Sequence, residues 1–385
     1  MRMIIAGSGS GGHLYPALAV AEKIKRRDPE SEILLIGAGN EISSEIIEAN
    51  GYSQTSINAR GFNRRNLLKN AAVIKDLAVS SIQIRRIFKD FKPDAVFGAG
   101  GYVSGPVIRE ARRCGLPAFL QEQNVIPGVA NKLSEKYADE IFAGFPGCVE
   151  YFKEREKITV TGNPLRRAFL TSTAVDHRAL LGLDPSESVV FIMSGSLGAG
   201  KINDTVCEML MQFHALQPVT FMFLTGRREY EKVMKVLGDA GLAGLSLGTA
   251  KDETIPADIN LRVRLIDYTE RIHELYSAAD LIISRSGAMT VSEIAAIGRP
   301  SILIPSPNVT NNHQYHNAKV LSDIDAALLI EEKDLTADKL ASDVMKLCSN
   351  KGKMNRMSEA CGSIARLDAA DIIYDHIVRR VGTKP

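Results

Sequence analysis

The sequence predicts an α/β protein with two doubly wound, Rossmann-like domains, each built on a parallel sheet. Short apolar runs such as RMIIAG, EILLIGA, VVFIMSG and LIISRSG alternate along the chain with longer segments of helical periodicity. Strands that are apolar throughout and are separated by amphipathic helices are typical of parallel sheets covered on both faces. The chain has 385 residues, which is more than one ordinary hydrophobic core supports, so two domains are expected.

A coarse internal repeat supports the division into two domains. MRMIIAGSGSGGHLYPALAVAEKI and SVVFIMSGSLGAGKINDTVCEML are each read as a strand, a loop rich in glycine and serine, and a helix. We therefore expect a first domain at 1–164 and a second at 165–365. A final helix at about 366–385 could pack on either half, including back on the first domain. Doubly wound domains bind ligands at the carboxyl ends of their strands, so two facing domains would line a cleft with such loops.

Composition and charge limit the classes of protein that fit. Hydrophobic residues make up 45% and charged residues 24% of the chain, and the net charge of +2 gives no support to nucleic-acid binding. No apolar run approaches the roughly 18 residues of a membrane helix, and MRMIIAG is too short for a signal peptide. The five cysteines lack CxxC spacing, which is typical of free thiols. We expect a cytosolic protein.

The segment SGSLGAGKIN at 194–203 resembles a phosphate-binding P-loop but breaks its pattern. The position after Lys201 must be Ser or Thr, because that hydroxyl coordinates the magnesium ion of a nucleoside triphosphate. Ile202 occupies it and cannot bind a metal. A strand-to-helix turn remains, which either binds another anion or serves only as a turn.

The loop GSGSGGH at 7–13 follows the first predicted strand and is the first candidate site. Its small residues leave the backbone open to a bulky anionic group, and the imidazole of His13 could take a proton from a hydroxyl group. A capping or packing role for His13 is the alternative. The loop lacks the acidic residue that a dinucleotide site needs about twenty positions further on, so a nicotinamide dehydrogenase is disfavoured.

Two further loops in the first half follow predicted strands. GAGGYVSGP at 98–106 contains four glycines, more than a chain reversal requires, and QEQN occupies 121–124. A loop so bare normally accommodates a ligand. Tyr102 is therefore expected to contact that ligand, with a core position as the alternative.

In the second half, SRSGAMTVSE at 284–293 leads from a strand into a helix. Hydroxyl and N–H groups of its first turn suit a diphosphate, and the carboxylate of Glu293 could accept both hydroxyls of a ribose. Gln314 and Asn317, in a later polar loop, could fix a sugar or a nucleotide. We predict no metal site, and expect helix N-termini together with Arg166 and Arg285 to offset the phosphate charge.

Taken in order, GSGSGGH, GGYVSGP, QEQN, GNPLR, GSLGA, SRSGAMTVSE and NNHQYHNA make the whole chain resemble the MurG family of bacterial GlcNAc transferases. That resemblance implies two facing domains of GT-B architecture, with UDP-GlcNAc as donor and lipid I as acceptor. It implies an inverting transfer of GlcNAc to the 4-hydroxyl of MurNAc-pentapeptide on undecaprenyl diphosphate, forming lipid II in peptidoglycan synthesis. No cofactor or metal ion is required by this chemistry.

The resemblance also implies which residues bind each substrate. The donor contacts would be Ser10, Gly11, Gly12, Asn124, Arg166, Ser196, Ile266, Ala288, Met289, Thr290, Val291, Ser292, Glu293 and Gln314. The acceptor diphosphate would lie against the amino-terminal glycine loops, at Gly100, Gly101 and Tyr102. An inverting displacement needs a base for the incoming hydroxyl, and we assign that role to His13, with Glu122 as the second candidate. The family often has threonine at Ser10, which keeps the hydroxyl, and glutamine at Leu197, which leaves donor affinity open.

The segment 60–92 combines nine basic residues with apolar ones, against two aspartates. A basic face with apolar tips can rest on an anionic leaflet, although a solvated helix with an ordinary core face has the same pattern. With a lipid acceptor, we expect peripheral binding to the anionic inner-membrane surface, on the cytoplasmic face of the plasma membrane.

Two other functions fit parts of the pattern. UDP-GlcNAc 2-epimerase, or another GT-B sugar-nucleotide enzyme, would keep the two domains but use no lipid acceptor. A nucleotide-binding module without catalysis would need the same glycine loops. The basic segment and GGYVSGP disfavour the epimerase, and product analysis separates all three.

Overall fold

Two units of parallel sheet and helix make up the chain in a computed structural model. The structure describes residues 1–7, 11–38, 41–59, 70–171, 177–195, 199–213, 218–242 and 261–382, without the side chains of 41–43, 70–75, 77 and 261. The first unit comprises Met1–Arg166 and Arg366–Pro385, and the second comprises Arg167–Ala365.

The first unit alternates strands and helices as the apolar periodicity predicts. In chain order its elements are β1 (Arg2–Ala6), α1 (Gly11–Arg27), β2 (Glu32–Gly37), α2 (Glu41–Ala49), β3 (Ser53–Ser56), α3 (Asn70–Phe91), β4 (Ala95–Gly98), α4 (Gly101–Arg113), β5 (Ala118–Glu122), α5 (Val129–Ser134), β6 (Glu140–Ala143) and β7 (Ile158–Val160).

The second unit repeats this alternation and adds two helices at its end. Its elements are α6 (Arg167–Thr171), α7 (His177–Leu180), β8 (Ser188–Met193), α8 (Gly200–Gln212), β9 (Val219–Leu224), α9 (Tyr230–Asp239), β10 (Leu261–Ile266), α10 (Ile272–Ala278), β11 (Leu281–Ser284), α11 (Ala288–Ile297), β12 (Ser301–Leu303), α12 (His313–Ser322), β13 (Ala327–Leu329), α13 (Ala337–Cys348) and α14 (Lys351–Ser363). The last helix, α15 (Ala369–Gly382), belongs to the first unit.

Both sheets have the doubly wound strand order. Among the described residues, the first sheet has seven strands in the order β3-β2-β1-β4-β5-β6-β7, and the second has six in the order β10-β9-β8-β11-β12-β13. All pairings are parallel. The order of strands across each sheet changes direction once, between β1 and β4 in the first and between β8 and β11 in the second. In doubly wound sheets the loops after two such strands diverge and leave room for a ligand.

The core of the first unit lies on both faces of its sheet, as a parallel sheet requires. Met3 and Ile5 of β1 pack in one cluster with α1 and α15, whereas Ile4 and Ala6 pack in another with α3 and α4. This alternation follows from the two-residue period of a strand.

The C-terminal helix α15 is held on α1 by apolar packing and by charge. Ile373 and Ile377 are fully buried in the cluster that contains α1. Asp371 accepts hydrogen bonds from Lys23 Nζ at 2.6 Å and from Arg27 Nη2 at 3.0 Å. Within the described ranges, no helix is both long and apolar enough to cross a membrane.

Candidate active site

In the first unit, β1 and β4 are neighbours at the point where the strand order changes direction, so the loops after them begin side by side. β1 pairs with β4 from Met3–Ala95 to Ala6–Gly98, so both strands end at the same level. Helix α1 begins at Gly11 and α4 at Gly101, directly beyond these ends. Ser104 of α4 links the end of β1 to the loop after β4, because its hydroxyl lies 3.0 Å from the carbonyl oxygen of Ala6 and 2.7 Å from that of Gly100.

The ring of His13, in the first turn of α1, is oriented by the loop after β4. Its Nδ1 lies 3.2 Å from the carbonyl oxygen of Ala99, which also accepts a hydrogen bond from Gln123 Nε2 at 2.7 Å. A carbonyl oxygen can only accept, so this contact requires the hydrogen of a neutral imidazole on Nδ1. The basic lone pair is then on Nε2, which is the arrangement of a general base.

Gly100 makes room for the His13 ring. Its φ of 92° and ψ of −178° lie in a region that essentially only glycine adopts. A Cβ atom at this position would lie 2.6 Å from His13 Nδ1, well inside contact distance. The glycine is therefore required both by the backbone and by the histidine.

Helix α4 starts beside this ring without a side-chain cap. Gly100 is its N-cap residue and Gly101 has a φ of 80°. The side chain of Tyr102 is 38% exposed, so the structure puts it on the surface of the first turn and not in the core. Uncapped N–H groups at the start of a 13-residue helix can receive an anion.

Glu122, the second candidate base, is the last residue of β5 and lies in the interior of the first unit. It is 1% exposed. Its Oε1 accepts hydrogen bonds from the backbone N and the Nδ2 of Asn124 at 2.9 and 3.1 Å, and its Oε2 from Gly128 N at 3.0 Å and Asn131 Nδ2 at 2.8 Å. Burial raises the pKa of Glu122, although the hydrogen bonds from Asn124, Gly128 and Asn131 act against this rise. With both oxygens occupied, this carboxyl group organises the loop that carries Asn124.

Arg166 stacks on an aromatic ring at the start of α1. Its guanidinium carbon lies 4.2 Å from the ring centroid of Tyr15. That ring covers Gly11, where a Cβ atom would approach it to 3.0 Å. Arg166 thus lies near the N-terminal end of α1, which begins with the predicted donor residues Gly11 and Gly12. Its charge adds to the positive end of the helix dipole.

Asn163, in the GNP segment after β7, is hydrogen-bonded to β5 and to the loop after it, a role that the sequence did not reveal. Its Oδ1 accepts a hydrogen bond from Gln121 Nε2 at 3.2 Å, and its Nδ2 donates one to the carbonyl oxygen of Gln123 at 3.1 Å. Gly144 cannot carry a side chain, because a Cβ atom there would lie 2.3 Å from Asn163 Oδ1.

In the second unit, the glycine-rich turn between β8 and α8 is not a P-loop. Ile202 is fully buried in the core, and Lys201 Nζ donates a hydrogen bond to the carbonyl oxygen of Glu332 at 2.8 Å. The helix begins at Gly200. Ser196, like Ser10 in the first unit, lies outside the described residues.

The turn before α11 is held by hydrogen bonds to α12, and no side chain caps the start of α11. Ser286 is fully buried, and its Oγ donates a hydrogen bond to the carbonyl oxygen of Gln314 at 2.8 Å. Asn317 Nδ2 donates one to the carbonyl oxygen of Ser286 at 3.3 Å, and Gln314 Oε1 accepts one from Ser306 N at 2.9 Å. Gly287, the N-cap residue, leaves the first N–H groups of a ten-residue helix available to an anion.

The remaining predicted donor residues lie on α11 and at the end of β10. Ala288 and Met289 form the start of α11, and Glu293, 8% exposed, follows in its second turn. Thr290, Val291 and Ser292 lie between them. Ile266 ends β10, and its carbonyl oxygen accepts a hydrogen bond from Thr225 N at 3.0 Å.

Arg285, which we expected to offset phosphate charge, is engaged within the second unit. Its Nη1 donates hydrogen bonds to the carbonyl oxygens of Ile304 at 3.2 Å and Pro305 at 3.1 Å, and its Nη2 pairs with Glu332. Both charges of this pair are largely buried, so they compensate each other and fix the loops after β11, β12 and β13. Among the side chains that the structure describes, no group of three His, Cys, Asp or Glu could hold a metal ion.

The predicted membrane segment is described only in part. Residues 60–69 lie outside the described residues, as do the side chains of 70–75 and 77. On the remainder of α3, Ile82 is 72% and Arg86 86% exposed. Arg85 instead donates a hydrogen bond from Nε to the buried Glu110 at 2.8 Å.

Known proteins resemble the chain over nearly its whole length. The model of the glycosyltransferase family 28 N-terminal domain matches residues 3–143, and that of the C-terminal domain of the same family matches residues 189–373. A protein of Thermoanaerobacter sp. (strain X514) is 38% identical over 374 residues, which are 97% of this chain and 98% of that protein. The chain belongs to glycosyltransferase family 28. The relative is named UDP-N-acetylglucosamine--N-acetylmuramyl-(pentapeptide) pyrophosphoryl-undecaprenol N-acetylglucosamine transferase.

Solved structures share the fold. MurG from Acinetobacter baumannii superimposes with a TM-score of 0.73 at 24% identity, covering 98% of this chain and all of that one. UDP-GlcNAc 2-epimerase from Neisseria meningitidis, bound to UDP-GlcNAc, reaches 0.66 at 12% identity, again covering 98% of this chain and all of the other. The predicted fold class, two doubly wound parallel-sheet domains as in GT-B proteins, is confirmed.

The contact between Gly100 and His13 can be tested with alanine. Gly100→Ala should lower the stability by about 1–3 kcal/mol from backbone strain alone, and should also displace the imidazole. Gly115→Ala is the matched control, because Gly115 has a φ of 69° and no atom within 4 Å of an added Cβ. Thermal unfolding and the nitrogen resonances of His13 in histidine-labelled protein measure both effects. Unchanged His13 resonances in Gly100→Ala would contradict the packing described.

Proposed function

We propose that the chain transfers GlcNAc from UDP-GlcNAc to the 4-hydroxyl of MurNAc-pentapeptide on undecaprenyl diphosphate, with inversion at the anomeric carbon. The product, lipid II, is a precursor of peptidoglycan. The observation that carries this proposal is the 38% identity, over 97% of the chain, to a relative that bears the name of this activity. The loops at the carboxyl ends of both sheets have the chemistry that such a reaction needs.

His13 acts as the general base in the first unit. With the hydrogen of Nδ1 directed at the carbonyl oxygen of Ala99, Nε2 can take the proton of the acceptor hydroxyl as the new glycosidic bond forms. Glu122 has a supporting role, because its carboxyl group is buried under the loop that carries Asn124. Gly100, Gly101 and Tyr102 receive the acceptor diphosphate at the uncapped start of α4.

The second unit binds the donor and stabilises the departing UDP. The diphosphate lies at the start of α11, where uncapped N–H groups and the helix dipole favour the negative charge that develops as the sugar leaves. Glu293 accepts the ribose hydroxyls, and Gln314, held by Ser306 N, contributes to the sugar site. These groups replace the divalent ion that other nucleotide-sugar enzymes use.

One assay separates this function from its rivals. With UDP-GlcNAc and a soluble lipid I analogue, we expect UDP release that depends on the acceptor and a product heavier by one N-acetylhexosamine. The same rate in the presence of a chelator is expected. An epimerase would convert the nucleotide sugar without any acceptor, and a binding module would release no UDP, so either outcome would refute the proposal.

The role of His13 is tested by two substitutions. His13→Ala should lower kcat by about 100-fold or more, which is the usual share of general base catalysis. His13→Asn is the matched control, since its amide can still donate to the carbonyl oxygen of Ala99 but cannot accept the proton. Steady-state kinetics should find both variants equally impaired. Recovery of activity in His13→Asn would assign the residue a structural role, and a loss below tenfold in His13→Ala would remove it from the role of general base.

We further propose that the chain binds the cytoplasmic face of the plasma membrane peripherally, through the basic segment at 60–92. This proposal is supported by the lipid acceptor in the name of its relatives and by the exposed Ile82 and Arg86 on α3. Basic side chains attract an anionic leaflet, and an exposed isoleucine adds apolar contact.

Membrane binding can be measured by co-sedimentation with vesicles that contain anionic lipid. Binding should weaken as salt increases, because salt screens the attraction to anionic lipid. Ile82→Ser should reduce the protein–vesicle partition coefficient by about fivefold, because apolar burial is lost. Leu180→Ser is the control, because Leu180 is 64% exposed but lies in the second unit. Sedimentation that is indifferent to both salt and anionic lipid would refute the proposal.

A further inference from the structure

Tyr276, in helix α10, is a fully buried tyrosine of the second unit that the proposed mechanism does not use. Two aromatic rings fix its orientation. Phe169 of α6 and Phe191 of β8 each pack against it edge-on, with ring centroids 5.4 Å away and interplanar angles of 80° and 64°. Edge-to-face contacts on two sides leave the ring little freedom to turn its hydroxyl elsewhere.

The hydroxyl of Tyr276 is directed at the carboxylate proposed to bind the ribose. It donates a hydrogen bond to Glu293 Oε2 at 3.4 Å and lies 4.0 Å from the sulfur of Met193. Glu293 is itself only 8% exposed, so its carboxylate loses most of its contact with water. A buried carboxylate needs hydrogen-bond donors, and a phenol buried in a core is retained at a cost unless it serves as one.

We propose that Tyr276 is a positioning residue that holds the carboxylate of Glu293 in the orientation in which it accepts the ribose hydroxyls. This inference rests on the proposed function, since it requires that Glu293 binds the ribose of UDP. Because the tyrosine ring is locked by Phe169 and Phe191, it transmits the rigidity of the core to the donor site. Selectivity for a ribonucleotide over a deoxyribonucleotide then depends on Tyr276, although Tyr276 contacts neither nucleotide.

The experiment compares UDP and 2′-deoxy-UDP by calorimetry in Tyr276→Phe and in the unaltered protein. The unaltered protein should bind UDP more tightly than 2′-deoxy-UDP. Tyr276→Phe should weaken UDP by about fivefold, as expected for one lost hydrogen bond, and 2′-deoxy-UDP by much less. In turnover, the KM for UDP-GlcNAc should rise while kcat stays within about twofold, since only binding of the ribose is affected.

A matched control and a double variant distinguish positioning from simple damage. Tyr230→Phe makes the same change on α9, where Tyr230 packs against the core away from α11, and should leave both affinities unchanged. In Glu293→Gln protein, adding Tyr276→Phe should cost no further affinity for UDP, because the two residues act as one unit. The double variant also removes the buried charge of Glu293, so it serves if Tyr276→Phe alone folds poorly.

Each outcome decides between the two proposals. Equal loss of both nucleotides, or an unchanged preference for UDP in Tyr276→Phe, would overturn the positioning role alone. A further loss in the double variant of the size seen in Tyr276→Phe would overturn it as well. If the unaltered protein binds no UDP, or does not prefer UDP to 2′-deoxy-UDP, the assignment of the donor site to Glu293 fails first, and this inference fails with it.

Discussion

The rest of the structure depends on one pair of neighbouring strands in each sheet, β1 with β4 and β8 with β11. β1 lies between β2 and β4, and β8 lies between β9 and β11, so the loops after β1 and β4, or β8 and β11, begin side by side. The helices that follow these strands lie on opposite faces of each sheet, and their positive N-terminal ends lie at the same edge. The glycines after these strands are explained by their position at this edge of the sheet.

Buried charges around the sites serve mainly to fix loops. Glu122 receives four hydrogen bonds from the loop after β5 and from α5, and Arg285 is neutralised by Glu332. Each charge would be costly in the interior if its partners were absent, so the loops have one strongly preferred arrangement. A glycine loop cannot rely on its own side chains for order, and these neighbouring polar and ionic groups supply it instead.

The fold could be predicted from the sequence because its signal is local. Runs such as VVFIM and LIIS are short and apolar, with a glycine within the next three residues, and each forms a strand that ends at a candidate site. The environment of individual side chains could not be predicted, since it depends on residues far apart in the chain. Tyr15 meets Arg166 across 151 positions, from 15 to 166, and no periodicity encodes that contact. The exclusion of a P-loop from Ile202 rested on chemistry and agrees with the burial of that residue.

Helix α15 closes the first unit with residues from the far end of the chain. Its Ile373 and Ile377 complete the cluster that α1 begins, and the whole second unit is inserted between the two segments. During synthesis, the amino-terminal sheet therefore emerges from the ribosome with one face covered by α1 but not by α15, and stays so until the last helix is translated. The second unit, although made later, has all of its strands before then and can finish folding first. Chaperones in the cell would meet the exposed apolar face of the older half.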